Sequence, residues 1–272
     1  MKYPKVSVII TTKNEENNIG NCLASIKKQI YKNIEIIVVD NNSTDKTKEI
    51  AKKYTNLVFD KGPERSAQRN FGAQKATGEY VLFLDADMVV TPKVVEECVR
   101  AITNNKFGGI IIPEESFGTS FWAKVKALER SFYVGNDAIE AARFYKRDVF
   151  NKIGGFDESI TGPEDWDFSQ RIKKEFALGR ISAFILHNEG KLSLIVTMKK
   201  KFYYAKKFNP YLNKNLNTKY AQTQINVMQR NWIFLSHPSK LFKDPVLGAG
   251  VLFLKTAEFG AGAAGFLLAK FE

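Results

Sequence analysis

Two cysteines and two histidines are all that 272 residues offer to a soft metal or a disulfide framework. Cys22 and Cys98 lie far apart, with no CxxC spacing and no histidine cluster beside either. Neither a structural zinc site nor a disulfide-stapled scaffold is indicated, and both cysteines are expected as small buried residues on helices. The segment TTKNEEN (residues 11–17) contains no glycine, where a nucleotidyltransferase would carry a glycine-rich phosphate loop. No internal repeat and no low-complexity linker interrupts the chain, so residues 1–190 read as one domain and 191–272 as a helical extension. The opening MKYPKVSVII has too short an apolar run for a secretory signal, which makes a cytoplasmic location the expectation. Acidic residues are in deficit, 29 against 41 Lys and Arg, and the formal charge of +12 favours anionic partners. Nucleic acid, lipid headgroups and phosphorylated substrates all meet that description.

What is present alternates. VSVIITT (6–12) and IEIIVVD (34–40) are continuous apolar runs of the kind buried on both faces of a parallel sheet. Between them, Ile19, Leu23 and Ile26 have helical spacing. Ser43, Thr44 or Asp45 would cap the next helix, a short strand is expected near 57–59, and Pro92 stands near another helix start. Strands alternating with helices over short connections predict an α/β fold with a doubly wound sheet. Further on, GGIIIP reads as a strand, FWAKVKALERSFYV as a helix, and AARFYKRDVF as a strand running into a short helix before GGFDE. EDWDFSQRIKKEF is an amphipathic helix with Phe168, Ile172 and Phe176 in register, and ISAFIL is a strand ending at His187.

YVLFLDADMVV (80–90) raises the chemical question, because an apolar strand ends in two acids one residue apart. In an extended chain Asp85 and Asp87 point to the same side. They sit at the carboxyl end of a strand, where open α/β sheets bind ligands. A divalent cation or a hydrogen-bonded ligand would relieve their repulsion; a solvated turn is the plainer alternative.

VSVIITTKNEENNIGNCLASI, IEIIVVDNNSTDKT, the DAD at 85–87, GGFDE at 154–158 and ED at 164–165 occur in an order that resembles the nucleotide-sugar glycosyltransferases of family 2 with the GT-A fold. The resemblance covers residue 5 to about residue 190. It implies a Rossmann-like, mostly parallel sheet flanked by helices, and inverting transfer of a sugar from a UDP or GDP donor. It also implies a role for each residue. Thr11, Glu15 and Asp40 would hold the nucleoside, Asp40 through the base and Glu15 through the ribose. Arg69 would stand near the diphosphate, where a guanidinium can grip phosphate oxygens bidentately. Asp85 would serve the ribose or a metal-bound water. Asp87 would ligate Mn²⁺ or Mg²⁺, with His187 as a further ligand. Asp165 would be the general base, while Gly155, Asp157, Glu164 and Trp166 would line the sugar or acceptor. Plainer roles stay open for several of them: helix capping for Glu15, a solvated helix face for Arg65 and Arg69, a favourable helix amino terminus for the acids at 164–167, a structural hydrogen bond for His187, and core packing for Trp166.

A base at Asp165 favours a hydroxyl acceptor, on a glycan or a lipid-linked glycan, over a polyprenyl phosphate, which is already anionic. The stretch from Lys199 to Tyr211 interleaves Lys with Phe and Tyr, as at a membrane surface. A peripheral place on the cytoplasmic face follows as the expectation. VLGAGVLFLKTAEFGAGAAGFLLA has the length of a membrane span, but Lys255 and Glu258 interrupt it at a spacing that lets them pair. An interfacial or protein-packed helix is expected there in preference to a span. Nucleic acid is not an expected partner, because Asp85, Asp87 and Asp165 would repel a phosphate backbone. A non-catalytic scaffold binding lipid or nucleic acid through its basic surface is the rival reading.

Overall fold

The structure is a computed structural model that describes residues 3–271. In chain order it begins with β1 (Val6–Thr12), α1 (Ile19–Lys27), β2 (Ile34–Asp40), α2 (Thr47–Lys52), β3 (Val58–Asp60), α3 (Arg65–Lys75), β4 (Tyr80–Asp85), β5 (Met88–Val90), α4 (Val94–Asn104) and β6 (Phe107–Ile111). There follow β7 (Glu114–Phe117), α5 (Phe121–Ser131), β8 (Ala142–Lys146), α6 (Arg147–Lys152), α7 (Glu164–Lys173), β9 (Ala177–Arg180) and β10 (Ile185–Asn188). The remaining elements are α8 (Leu194–Lys206), α9 (Asn209–Asn215), α10 (Lys219–Ile225), α11 (Val227–Leu235), α12 (Pro238–Leu241) and α13 (Pro245–Leu268). The chain forms two compact units. One contains the residues up to Pro113, Ala141–Glu158 and Glu164–His187; the other contains Glu114–Glu140, Ser159–Pro163 and the chain from Asn188 onward. The helix at 121–131, read from sequence as part of a 1–190 domain, thus belongs with the C-terminal helices.

The first unit is built on a seven-stranded sheet in the order β3-β2-β1-β4-β8-β6-β9. β3, β2, β1 and β4 run parallel, and β8 is antiparallel to both of its neighbours. All seven residues of β1 are buried, as a central strand covered on both faces must be. Alternate side chains serve opposite layers. Val6, Val8 and Ile10 pack with Leu23, Ile26, Val95, Cys98 and Ile102 from α1 and α4. Ile9 on the other face joins Phe83, Ala73, Phe168 and Ile172, drawn from β4, α3 and α7. The expected burial of Cys22 and Cys98 on helices is found. Gly72 lets α3 lie close on the sheet, since a Cβ there would come 2.4 Å from Ile9 Cγ2.

β5, β7 and β9 are strands that the periodicity did not announce. Each has three or four residues with mixed burial, too few to show alternation. None of the three residues offered as a cap for α2 takes that position, which falls to Lys46; Asp45, one residue earlier, accepts from the Thr47 N–H at 3.0 Å.

The second unit is mainly helical, with Val125, Phe132, Phe234, Leu241, Val251 and Leu254 at its centre. Lys255 and Glu258 of α13 do pair with each other, as their spacing allows, and they do so in the interior. Lys255 Nζ reaches Glu129 at 2.7 Å, and Lys126 Nζ reaches Glu129 at 2.6 Å and Glu258 at 3.1 Å. Lys201 Nζ adds a third cation 3.9 Å from Glu258, so each buried charge has an opposite neighbour.

Candidate active site

Parallel pairing fixes the edge of the site. Thr11 lies opposite Asp85 and Thr12 opposite Asp40, so the carboxyl ends of β1, β2 and β4 finish level with one another. Thr11 Oγ1 donates to Asp85 Oδ1 at 2.8 Å. Asp40 is fully buried and accepts from the Ser43 N–H and Ser43 hydroxyl, both at 2.6 Å, which ties the loop after β2 to the strand end. Glu15 accepts from Asn18 Nδ2 at 2.7 Å, and its backbone N–H donates to Thr47 Oγ1 at 2.7 Å. Burial pushes the Glu15 carboxyl above its ordinary range, and the nearby charges of Asp87 and Asp85 push it in the same direction. The fold therefore gathers Thr11, Glu15, Asp85 and Asp87 from two segments far apart in sequence.

Arg69 is wholly enclosed, which removes the alternative of a solvated helix face for this residue. Its guanidinium meets Asp85 at 3.0 Å, Asp165 at 2.7 Å and Glu164 at 3.4 Å. Arg65, one turn earlier on α3, stands 3.6 Å from Asp85 and 3.4 Å from Glu164. Burial alone would raise the Asp85 carboxyl, but the Arg69 and Arg65 charges outweigh it and hold the group well below the carboxylate range. Glu164 moves the other way: burial raises it, despite Arg65 and Arg69. Glu164 and Asp165 open α7, and this network joins them to the end of β4.

GGFDE forms a turn with Gly154 at φ +86° and Gly155 at φ +65°, a region that favours glycine. Asn70 clamps it: Nδ2 donates to Phe156 O at 2.8 Å, and Oδ1 accepts from the Phe156 N–H at 2.9 Å. Arg171 of α7 donates to Ile153 O at 2.8 Å and Gly155 O at 2.7 Å. Phe156 in turn lies beneath the Arg69 guanidinium, 5.2 Å from ring centroid to Cζ. Asp157 and Trp166 are half-buried, in this turn and on α7 respectively. Sequence reasoning missed Arg65, Asn70 and Arg171 as parts of this framework. Asn70 had a signal, since it follows Arg69 directly, whereas nothing in the amphipathic pattern of 164–176 marked Arg171.

Asp87 and His187 come together through β5 and β10, whose antiparallel pairing sets His187 opposite Met88. His187 Nε2 is 3.0 Å from Asp87 Oδ2, and Asp87 Oδ1 is buried with no hydrogen-bond partner. A buried carboxylate oxygen left without a donor fits a cation. Among the described residues no group of three or more His, Cys, Asp or Glu is arranged to hold a metal by itself. An Asp and a His suit a divalent ion whose remaining positions are filled by phosphate oxygens and water.

The GT-A glycosyltransferases are the class that this sheet and its carboxylate-lined edge define. The chain belongs to glycosyl transferase family 2, whose family model matches residues 7–155. Among solved structures it resembles the mannosyltransferase PcManGT from Pyrobaculum calidifontis in complex with GDP-Man and Mn²⁺, with a TM-score of 0.67 at 17% identity, covering 98% of this chain and 88% of that one. S. aureus TarS in complex with UDP-GlcNAc has the same fold, with a TM-score of 0.53 at 17% identity, covering 96% of this chain and 90% of that one. An uncharacterized glycosyltransferase of Methanocaldococcus jannaschii is 28% identical over 233 residues, 76% of this chain and 80% of the relative. Glycosyltransferase GlyA of Streptococcus pneumoniae is 38% identical over 104 residues, 36% of this chain, and this match spans only 15% of that much longer relative.

Proposed function

We propose that this protein is an inverting glycosyltransferase that moves a sugar from a UDP or GDP donor to a hydroxyl of a glycan or lipid-linked glycan. The observation that carries the reading is the chain of contacts Thr11–Asp85–Arg69–Asp165, which couples the donor edge of the sheet to an acid at the start of α7. Thr11, Glu15 and Asp40 hold the nucleoside and Asp85 the ribose. Arg69, close to the diphosphate, keeps Asp85 and Asp165 in position. Asp87 and His187 would hold Mn²⁺ or Mg²⁺, which when bound neutralises charge on the departing nucleoside diphosphate. Asp165 takes the proton from the acceptor hydroxyl as its oxygen attacks the anomeric carbon. The bond from that carbon to the diphosphate oxygen breaks in the same displacement, which inverts the configuration. Gly155, Asp157, Glu164 and Trp166 border the sugar and acceptor. Residues 1–190 carry this chemistry, and 191–272 place it on the cytoplasmic face of a membrane.

Calorimetric titration of UDP, GDP and their sugar derivatives, with and without Mn²⁺, tests the donor site. Metal-dependent binding of one nucleotide series, lost in Asp87→Ala, is expected; no binding of any of them to folded protein would overturn the reading. Turnover tests the base. Asp165→Asn should lower kcat on a hydroxyl acceptor by about 10²- to 10⁴-fold with donor binding retained. Full activity in that variant would point instead to an acceptor that needs no base, such as a polyprenyl phosphate.

A further inference from the structure

Helices on the surface of a water-soluble protein turn an apolar stripe inward and their charges outward. α13 packs Val251 and Leu254 inward but departs from this pattern on its other positions. Lys255 and Glu258, its only charged residues, are buried at 3% and 5% exposure, while Val246, Phe253, Leu267 and Leu268 face outward. Glycines occupy the inward side where neighbours press closest: a Cβ at Gly248 would lie 2.3 Å from Leu241 O, and one at Gly265 would lie 2.4 Å from Phe202 O. The outward residues are therefore what the helix leaves for some other surface. Its length and composition would also let it cross a bilayer.

α11 is built in the same sense. Met228, Trp232 and Leu235 follow the i, i+4, i+7 spacing of one helix face, and all three are exposed, Met228 at 84% and Trp232 at 67%. Arg230 and Phe234 fill the inward side, with Arg230 over the Tyr133 ring at 5.2 Å. Phe242, in the link between α12 and α13, is exposed with Lys240 and Lys243 on either side of it.

Charge identifies the occupant. Residues 191–271 contain 13 Lys and Arg against only Asp244 and Glu258, whereas residues 1–190 are near balance, with 28 against 26. Glu258 is spent on the buried cluster, so the surface of this segment is basic around its apolar faces. Lys199, Lys200, Lys214, Lys219, Lys240 and Lys243 are exposed. A second copy would bring like charges together. An anionic bilayer offers hydrocarbon to the apolar residues, headgroup charge to the lysines, and an interface suited to Trp232.

We propose that the outward faces of α11 and α13, together with Phe242, are the lipid-contacting surface of this protein, seated in an anionic phospholipid bilayer. This names the faces of the 191–272 extension that would meet the membrane proposed above, and it rests on that location. Flotation with phosphatidylglycerol–phosphatidylcholine vesicles, against phosphatidylcholine alone, is the test. The protein should float with the anionic vesicles, and the double variant Trp232→Asp, Phe253→Asp should lose about ten-fold or more of that binding. Both residues are exposed, so circular dichroism and nucleotide titration should match the parent. That titration also separates the outcomes, because a failed lipid surface leaves donor binding in place. No flotation, or flotation that the double variant leaves unchanged, would overturn the proposal. So would a discrete dimer in light scattering that the same two substitutions dissolve.

Discussion

At the carboxyl edge of the sheet, Arg69 faces Asp85, Glu164 and Asp165, and Arg65 adds a second guanidinium to Asp85 and Glu164. The burial of these groups sets the cost of disturbing them. Removing one member of a buried ion network costs about 3–5 kcal/mol, because the others are left enclosed and uncompensated. Arg69→Ala should lose stability of that order in chemical denaturation. Arg69→Lys keeps the charge but not the fork that reaches three carboxylates at once, and should fall between. A loss below about 1 kcal/mol in Arg69→Ala would mean that the network is solvated and exchanges its partners freely. The individual acids could be picked out from the order of short motifs. Their partners could not, since Arg69 and Asp165 are joined by the way α3 and α7 pack on one sheet face.

Among elements, β2 and β4 are locked at the other end of the sheet by Glu35. Its carboxylate accepts from the Ser7 hydroxyl, from the Thr77 N–H at 2.6 Å and hydroxyl at 2.8 Å, and from the Gly78 N–H at 3.1 Å. Burial pushes this carboxyl up, but the hydrogen bonds from Ser7 and Thr77 outweigh it and leave the group below its ordinary value. A lowered folded value means that the stabilisation is complete above the unfolded value, about 4.3, and is lost as pH falls through the folded one. Glu35→Gln should therefore cost about 1.5–3 kcal/mol near neutrality. The gap between parent and variant should close below about pH 4. Denaturant titrations at several pH values check it; a gap independent of pH would show that the carboxylate charge is not what matters. β1 and β2 were legible to the residue because burial on both faces writes an unbroken apolar run. β5 and β9 were not, because such short strands take their identity from the partner they pair with.

On the scale of the whole molecule, charge is segregated along the chain, with nearly all of the excess Lys and Arg beyond residue 190. Attraction of exposed lysines to an anionic surface is screened over a Debye length, about 10 Å at 0.1 M salt and about 3 Å at 1 M. Vesicle binding should therefore weaken as salt rises over that range, while a part that depends on Trp232 and Phe253 persists. Binding abolished by salt alone would mean that the apolar faces do not enter the lipid, and binding indifferent to salt that the lysines contribute nothing.

The sequence by itself determined the long strands β1, β2 and β4, the acids at their carboxyl ends and the family, because each is written in contiguous residues whose burial and order follow from short-range pattern. Only the tertiary structure decided which acids share Arg69, how Asp87 meets His187, and that α5 belongs with the C-terminal helices. It also decided that α13 turns its two charges inward and leaves Val246, Phe253, Leu267 and Leu268 outward. Composition records how apolar a helix is, but the direction its side chains face depends on Glu129 and Lys126, more than a hundred residues away in the chain.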